Sequence, residues 1–157
     1  MPLKYIACYV LEVSDTMERH TGFLIKQLYF LHQQRLNKIF SEFDLTATQT
    51  FTLLFLFRSH EKGISVNQKD IEHEMDISNP TVTGILNRLE HKGLIERKAC
   101  HHDARAKNIV VTDKALELDK LLRNKFREAD EELVAPLSED EKDILHDLMV
   151  RMLKQSI

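Results

Sequence analysis

The sequence predicts a mainly α-helical protein that carries one small β hairpin. Apolar residues recur at helical spacing over most of the 157 residues. This period changes to strand-like segments only near residues 94–111. Three Pro and four Gly leave little room for long linkers. We expect a single domain over residues 1–157, because this length supports one hydrophobic core rather than two.

Two capping signals place the first helices. Asp15-x-x-Glu18 has the form of a capping box and predicts one long helix over residues 15–43. Thr46-x-x-Gln49 is a second such box and predicts a helix over residues 46–59. The second helix is apolar on nearly every side, so we expect it to lie in the core.

Short elements follow in the middle of the chain. Gly63 ends the second helix, residues 64–66 are predicted as a short strand, and Asn67 caps a brief helix. Asn79-Pro80 places a capping side chain before a Pro at the first helical position, which predicts a helix that stops at Gly93. The predicted buried stripe of this helix is Val82, Ile85, Leu86 and Leu89.

Two strands and two helices complete the predicted order. Residues 94–99 and 107–111 are predicted strands, with a polar tip between them. Helices are expected over 112–134 and, from the box Ser138-x-x-Glu141, to about residue 154. Two short helices followed at once by a hairpin are typical of a winged helix-turn-helix. We therefore expect a DNA-binding lobe over 45–112 and a helical dimerisation lobe formed by 1–44 and 113–157.

The buried stripe of the helix after Asn79 also determines which of its residues face outward. At about 100° per residue, the outward set is Thr81, Thr83, Gly84, Asn87, Arg88 and His91. Asn can pair with adenine, Arg can pair with guanine, and Thr can contact the thymine methyl group. Glycine inside a helix costs roughly 1 kcal/mol relative to Ala, and here it would let the backbone approach the floor of a groove. The set predicts contacts to DNA bases, and a plain solvated face is the alternative.

The hairpin favours DNA binding over a solvated face. Arg105 at its tip and Lys107 just beyond it should project from the body, and a narrow minor groove attracts Arg. Residues 88–107 carry a net charge of +3, whereas residues 113–147 carry −6. A chain with an overall formal charge of −3 therefore has a basic end. Phosphate contacts from this end would make the affinity for DNA depend steeply on salt.

At these residues the sequence resembles the MarR family of dimeric winged-helix regulators. The matching motif is P-T-V-T-x-x-L-x-x-L-E-x-x-G-L-I-x-R from Pro80, followed by Asp103-x-Arg105. The resemblance implies that Arg105 enters the minor groove and that Asp103 orients the wing through an ion pair. Gly84 departs from the pattern, because many members carry a larger polar residue there. The helix order matches from about residue 16 to residue 157, which leaves residues 1–14 outside the pattern.

An apolar face on the last helix predicts a homodimer. This face is larger than the adjacent helix can cover and consists of Ile144, Leu145, Leu148, Met152 and Leu153. Packing within one chain is the alternative. The resemblance implies that the N- and C-terminal helices of two chains interlock. A dimer that binds one face of a duplex needs half-sites roughly 10 bp apart, so we expect a near-palindromic operator.

The resemblance also implies a small effector ligand, aromatic or cationic, between the two lobes. Candidate lining residues on the first two helices are Tyr29, His32, Phe40, Phe51 and Phe55, with ordinary core packing as the alternative. A metal sensor at residues 100–103 and a redox thiol at Cys8 or Cys100 are further alternatives. Adjacent histidines on a hairpin tip, such as His101-His102, rarely converge on one ion, so we expect neither a metal ion nor a cofactor.

Several functional classes are disfavoured by the sequence. It has no phosphate-binding loop, nucleophile elbow or recognisable carboxylate pair, so we do not expect an enzyme. The apolar run over 5–13 is too short to span a bilayer and no cleavage site follows it, which predicts a cytoplasmic protein without membrane contact. The expected function is a ligand-responsive transcriptional repressor that binds specific double-stranded DNA. A winged helix that binds another protein is the alternative.

Overall fold

The computed structural model describes residues 20–99 and 107–154. These residues form α1 (Thr21–Glu42), α2 (Ala47–Glu61), β1 (Val66–Asn67), α3 (Gln68–Met75), α4 (Asn79–His91), β2 (Ile95–Ala99), β3 (Lys107–Val111), α5 (Asp113–Val134) and α6 (Glu139–Lys154). The expectation of a mainly α fold with a small β wing is confirmed. The predictions for the Asp15 box, for both cysteines and for the hairpin tip concern residues outside those described. Within the described ranges, no helix is both long and apolar enough to span a membrane.

The three strands form one antiparallel sheet in the order β1-β3-β2. In the wing, Ile95 of β2 lies opposite Val111 of β3, and Ala99 lies opposite Lys107. The remaining strand, β1, is short and has Val66 opposite Ile109. The strand predicted at 64–66 therefore begins only at Val66. The hydrogen bonds of β1 therefore connect the wing to the segment that precedes α3.

The hydrophobic core lies beneath α4. The four residues that helical spacing predicts as its inner stripe are all buried, namely Val82, Ile85, Leu86 and Leu89. They belong to one cluster with Leu53 of α2, Ile71 of α3 and Leu122 of α5. Gly93 has φ of 69° and ends α4, as the sequence predicts for a left-handed position. The packing of this stripe determines which face of α4 meets solvent.

Predicted caps fix the starts of several helices. Both reciprocal hydrogen bonds of the Thr46–Gln49 box are present at α2. At α3, Asn67 accepts from the backbone of Asp70, whose carboxylate accepts from the backbone N–H of Asn67. The Thr112 hydroxyl caps α5 by accepting from the N–H of Ala115. These local interactions agree with the capping pattern in the sequence.

The prediction that Asn79 caps α4 is wrong. Ser78 is the N-cap residue, and Asn79 is the first residue of the helix. The Asn79 side chain instead donates a hydrogen bond to the Glu72 carboxylate on α3. The Ser78 hydroxyl lies 2.9 Å from the Thr81 hydroxyl and caps no backbone N–H. Because Asn79 lies inside the helix, its side chain cannot act as the N-cap, and the NH₂ group of its amide is held by a charged acceptor on α3.

Two further predictions about the first helices need correction. The predicted helix over 15–43 is shorter, because His20 is extended (ψ 110°) and α1 begins at Thr21. The second helix runs two residues beyond its predicted end at Ser59, to Glu61. Phe51, predicted as core, is 44% exposed. It lies on the side of α2 that faces a groove, which explains why an apolar residue there is not buried.

Candidate nucleic-acid interface

Side-chain hydrogen bonds hold α4 against α3. The Gln68 amide donates to the Thr83 hydroxyl at 2.8 Å and to the backbone carbonyl of Asn79 at 3.4 Å. The bond from Asn79 to Glu72 adds a second connection between the two helices. Three polar contacts thus fix the position of α4 over its first turns, in addition to the buried stripe below it.

The outward face of α4 carries the polar residues that the sequence places there. Thr81, Asn87, Arg88 and His91 are exposed, and Thr83 and Gly84 are half-buried. A Cβ atom added at Gly84 would meet no atom of the described residues within 4 Å. Packing against this part of the chain therefore does not require glycine at position 84. The face has hydrogen-bonding chemistry suited to base edges, but three of its polar side chains, Thr81, Thr83 and Asn87, already interact with other side chains.

Arg97 of β2 interacts with two residues of α4, which the sequence reasoning missed. One guanidinium nitrogen, Nη2, donates to Asn87 Oδ1 at 2.8 Å, and Nη1 donates to Glu90 Oε2 at 2.7 Å. The Arg97 side chain is 19% exposed. In the sequence, Arg97 is recognisable only as a positive charge and as part of a motif. Its position four residues after Gly93, which ends α4, is the signal that could have found this contact, because β2 must turn back along α4.

Lys92 also has a structural role that the sequence analysis did not assign. Its ammonium group donates to the carboxylate of Asp44 at 2.8 Å and to the backbone carbonyl of the same residue. The hydrogen bond and charge of Lys92 lower the pKa of Asp44. The backbone carbonyl of Lys92 accepts from the side chain of Lys114 at 2.8 Å. Lys92 therefore joins the end of α4 to the α1–α2 turn and to α5.

The other basic residues of α4 and the wing differ in whether they form ion pairs. Lys98 of β2 lies 3.2 Å from Glu96, and both side chains are exposed. Arg88 has no ion pair with any acid of the described residues and is exposed. Lys107 is exposed at the start of β3. Asp103 and Arg105 lie outside the described residues, so their assignments stay predictions. Arg88, Lys98 and Lys107 are thus exposed basic side chains of α4 and the wing.

A groove of about 670 Å³ lies between α2, α3 and α5. Its lining consists of Phe51, Leu54, Phe55, Arg58, Glu61, Glu74, Met75 and Arg123. It therefore brings together Phe51 and Phe55, two of the five aromatic or histidine candidates. Phe40 is buried, with its ring centroid 6.0 Å from that of Phe51. Tyr29 and His32 lie on α1 and do not line this groove.

Ion pairs cross the groove and connect its walls. Arg58 of α2 pairs with Glu74 of α3 at 2.7 Å. Arg123 of α5 pairs with Glu61 of α2 at 2.7 Å and with Asp119 at 2.9 Å. The hydrogen bond that Arg123 donates to the Asp119 carboxylate is the largest cause of the raised pKa of Arg123. The groove thus combines aromatic rings with carboxylates, which is chemistry suited to a flat cation.

A metal site is not formed by the part of the chain that the structure describes. No group of three His, Cys, Asp or Glu residues there is arranged to hold an ion. The cluster considered in the sequence, residues 100–103, lies outside this part.

An apolar face of α6 is exposed, as are several apolar residues of α1. On α6 the exposed members are Ile144, Leu148, Met149, Met152 and Leu153, and Leu145 is half-buried. On α1 they are Leu24, Ile25, Leu28, Tyr29, Phe30 and Leu31. None of the residues of α6 is buried within the chain. The described part of one chain therefore leaves this apolar surface uncovered.

Comparison with known proteins gives one consistent result. The family model for the MarR family matches residues 45–107. PecS, an HTH-type transcriptional regulator of Dickeya dadantii, is 29% identical over 133 residues, which cover 85% of this chain and 80% of PecS.

Solved structures of MepR, from Staphylococcus aureus, share the fold. The structure described as a transcription regulator of the multidrug efflux pump MepA has a TM-score of 0.77 and 28% identity, covering 88% of this chain and 99% of MepR. The MepR–DNA complex has a TM-score of 0.69 and 29% identity, over 87% and 99% of the two chains. MepR bound to ethidium bromide has a TM-score of 0.63 and 28% identity, over 89% and 99%. Over residues 45–107 in sequence, and over most of its length in fold, the chain is thus similar to the MarR family of transcription regulators.

Proposed function

We propose that this protein is a repressor that binds a near-palindromic DNA duplex as a homodimer and releases it when a small ligand binds. The observation that carries the proposal is the exposed polar face of α4, held in place from both sides by Gln68 and Arg97. In this proposal, residues 45–112 bind DNA, and residues 1–44 and 113–157 form the dimer. The solved complex of MepR with DNA supports the first part.

Base contacts would come from α4 in the major groove. Thr81, Asn87, Arg88 and His91 are exposed along its outer face and have donors or acceptors that match base edges. Thr83 is half-buried, and its hydroxyl already accepts a hydrogen bond from Gln68. Its remaining contribution would be a hydroxyl proton or a methyl contact. Gly84 would let the backbone come close to the groove floor, because no side chain projects there.

Backbone and minor-groove contacts would come from the wing. Lys107 is exposed at the base of the wing and can reach a phosphate. From the family resemblance, Arg105 would enter the minor groove and Asp103 would orient the wing. Positive charge at this end would attract any duplex, whereas the α4 face would provide the selectivity.

The homodimer would form through the uncovered apolar surfaces of α1 and α6. Burying exposed apolar area stabilises an interface by about 25 cal/mol per Å² before the costs of association. The proposed contact residues on α6 are Ile144, Leu145, Leu148, Met152 and Leu153. A two-fold dimer presents two copies of α4, which can bind half-sites one helical turn apart.

The effector would bind in the groove between α2, α3 and α5. Phe51 and Phe55 offer aromatic rings, of which that of Phe55 already lies 5.9 Å from the Arg58 guanidinium, and Glu61 and Glu74 offer negative charge. A flat cation there would compete with Arg58 and with Arg123 for these carboxylates. Because the two ion pairs join α3 and α5 to α2, breaking them would loosen the lobe that carries α4. The structure of MepR with ethidium bromide, a flat cation, supports this choice of ligand class.

Selection of genomic DNA fragments by the purified protein tests the proposal. We expect enrichment of a near-palindromic fragment, and reduced recovery when a flat aromatic cation is added. Arg105→Ala should weaken binding to all duplexes by a similar factor, because a minor-groove contact adds little sequence preference. Lys62→Ala, at an exposed Lys of the α2 C-cap that belongs neither to α4 nor to the wing, is the matched control and should bind normally.

Two results would contradict the proposal. Binding to no duplex at low salt would favour a winged helix that recognises another protein. Release of DNA by an oxidant or by a metal ion, with no response to aromatic cations, would favour the redox or metal alternative at Cys8 or at residues 100–103.

A further inference from the structure

We infer that Arg97 makes Asn87 a hydrogen-bond donor toward DNA, so that α4 selects guanine and not adenine at the base pair that Asn87 contacts. This inference rests on the proposed DNA-binding function and concerns its specificity. Residue types alone point the other way, because a free Asn is the usual partner of adenine.

The geometry occupies one of the two lone pairs of the acceptor that adenine would need and places a positive charge beside it. The Asn87 amide oxygen accepts from the Arg97 guanidinium at 2.8 Å, so the amide is turned with its oxygen toward β2. Arg97 cannot easily move away, because its other terminal nitrogen donates to Glu90 at 2.7 Å. The hydrogen bond to the charged guanidinium is also stronger than one between neutral groups. Asn87 therefore keeps its NH₂ group, with two donors, for a partner outside the chain.

The base edges respond differently to such a donor. In the major groove, adenine presents an acceptor at N7 and a donor at N6, and its usual contact with Asn uses both. Guanine presents two acceptors, N7 and O6. An Asn87 amide whose oxygen is engaged by Arg97 can satisfy guanine but cannot easily accept from adenine N6. The positive charge of Arg97 next to this amide further favours the electron-rich edge of guanine.

The inference is tested by measuring the dissociation constants of a set of operator duplexes. In this set, every operator position is occupied by each of the four base pairs in turn. Asn87→Ala identifies the base pair concerned, as the position where preference is lost. The wild-type protein should prefer guanine over adenine there by about tenfold. Arg97→Met keeps an apolar stem but frees the Asn87 oxygen, so it should reduce this preference at least threefold or reverse it toward adenine.

Matched variants distinguish a change in base preference from a general loss of affinity for DNA. Lys98→Met removes a neighbouring charge on β2. It should weaken binding to all duplexes by the same factor and leave the guanine preference unchanged. Glu90→Gln keeps the contact between Arg97 and Asn87 and should keep the guanine preference. Arg97→Lys serves as a second variant if the Met substitution unfolds the wing, since a single ammonium nitrogen lacks the planar fork whose two separate nitrogens reach Asn87 and Glu90.

Three outcomes would overturn the inference while leaving DNA binding intact. These are a wild-type preference for adenine at the Asn87 position, no preference lost in Asn87→Ala, and a guanine preference unchanged in both Arg97 variants. If the wild-type protein binds no duplex at all, the proposed function itself is wrong and the inference falls with it.

Discussion

Replacing Leu148 with Asp is expected to convert the proposed dimer into monomers and to weaken operator binding by about 100-fold or more. Leu148 is 43% exposed within one chain and lies on the apolar face of α6. In a dimer, a carboxylate at this position would lose its hydration without gaining a partner. A monomer carries one α4 and can bind only one half-site. Sedimentation analysis and fluorescence anisotropy with an operator duplex would measure both effects.

The matched control for Leu148→Asp is Ile64→Asp. Ile64 is also an exposed apolar residue, 57% accessible, but it lies in the segment between α2 and β1. This variant should remain a dimer. A Leu148→Asp protein that sediments as a dimer would show that α6 does not form the interface.

Replacing Leu86 with Ala is expected to lower the free energy of unfolding by about 3 kcal/mol. Leu86 is fully buried, at 0% exposure, in the stripe through which α4 packs against the core. The smaller side chain loses buried apolar area and leaves a cavity that the close-packed neighbours fill only in part. Urea denaturation at neutral pH, followed by circular dichroism, would measure the change.

Ile64→Ala controls for loss of aliphatic volume at an exposed site, where substitutions usually change stability by less than about 0.5 kcal/mol. A similar small effect for Leu86→Ala would contradict the packing of α4 described above. The Leu86→Ala protein should still bind DNA under conditions where it is folded, since Leu86 does not lie on the outer face.

Local signals made most of the fold predictable. The Thr46 and Asn67 capping boxes need only residues three positions apart, and both are present. The stripe of α4 needs only helical periodicity, and its four residues are buried. The left-handed stop at Gly93 is likewise a property of one residue. Each of these features depends on neighbours in sequence, so a single sequence contains the information.

Interactions across elements were not predictable in the same way. Asn79 has the chemistry of a cap, but its amide is bound by Glu72 on the preceding helix. Lys92 adds positive charge to the segment that contains the wing, yet its ammonium group pairs with Asp44, 48 positions away in sequence. Arg97 reaches Asn87 only because β2 folds back beside α4. These pairings depend on how helices and strands pack, which periodicity does not specify.

The candidate effector residues illustrate the same limit. Phe40 and Phe51 both belong to aromatic stripes at helical spacing, yet Phe40 is buried and Phe51 is open to the groove. The sequence pattern identifies a face of a helix without identifying which other helix covers it. The acidic and basic residues of the groove, Glu61 and Arg123, come from helices far apart in the chain and were not among the candidates.

The central claim is that the α4 face and the basic wing bind specific duplex DNA. Its most direct test is a salt titration of binding to the selected near-palindromic duplex and to a duplex of the same composition with scrambled half-sites. If each subunit neutralises about three phosphates, the logarithm of the binding constant should fall with the logarithm of salt concentration with a slope of about −5. The palindromic duplex should also bind about 1,000-fold more tightly than the scrambled one. Equal affinity for the two duplexes, or binding that does not change with salt, would contradict the claim.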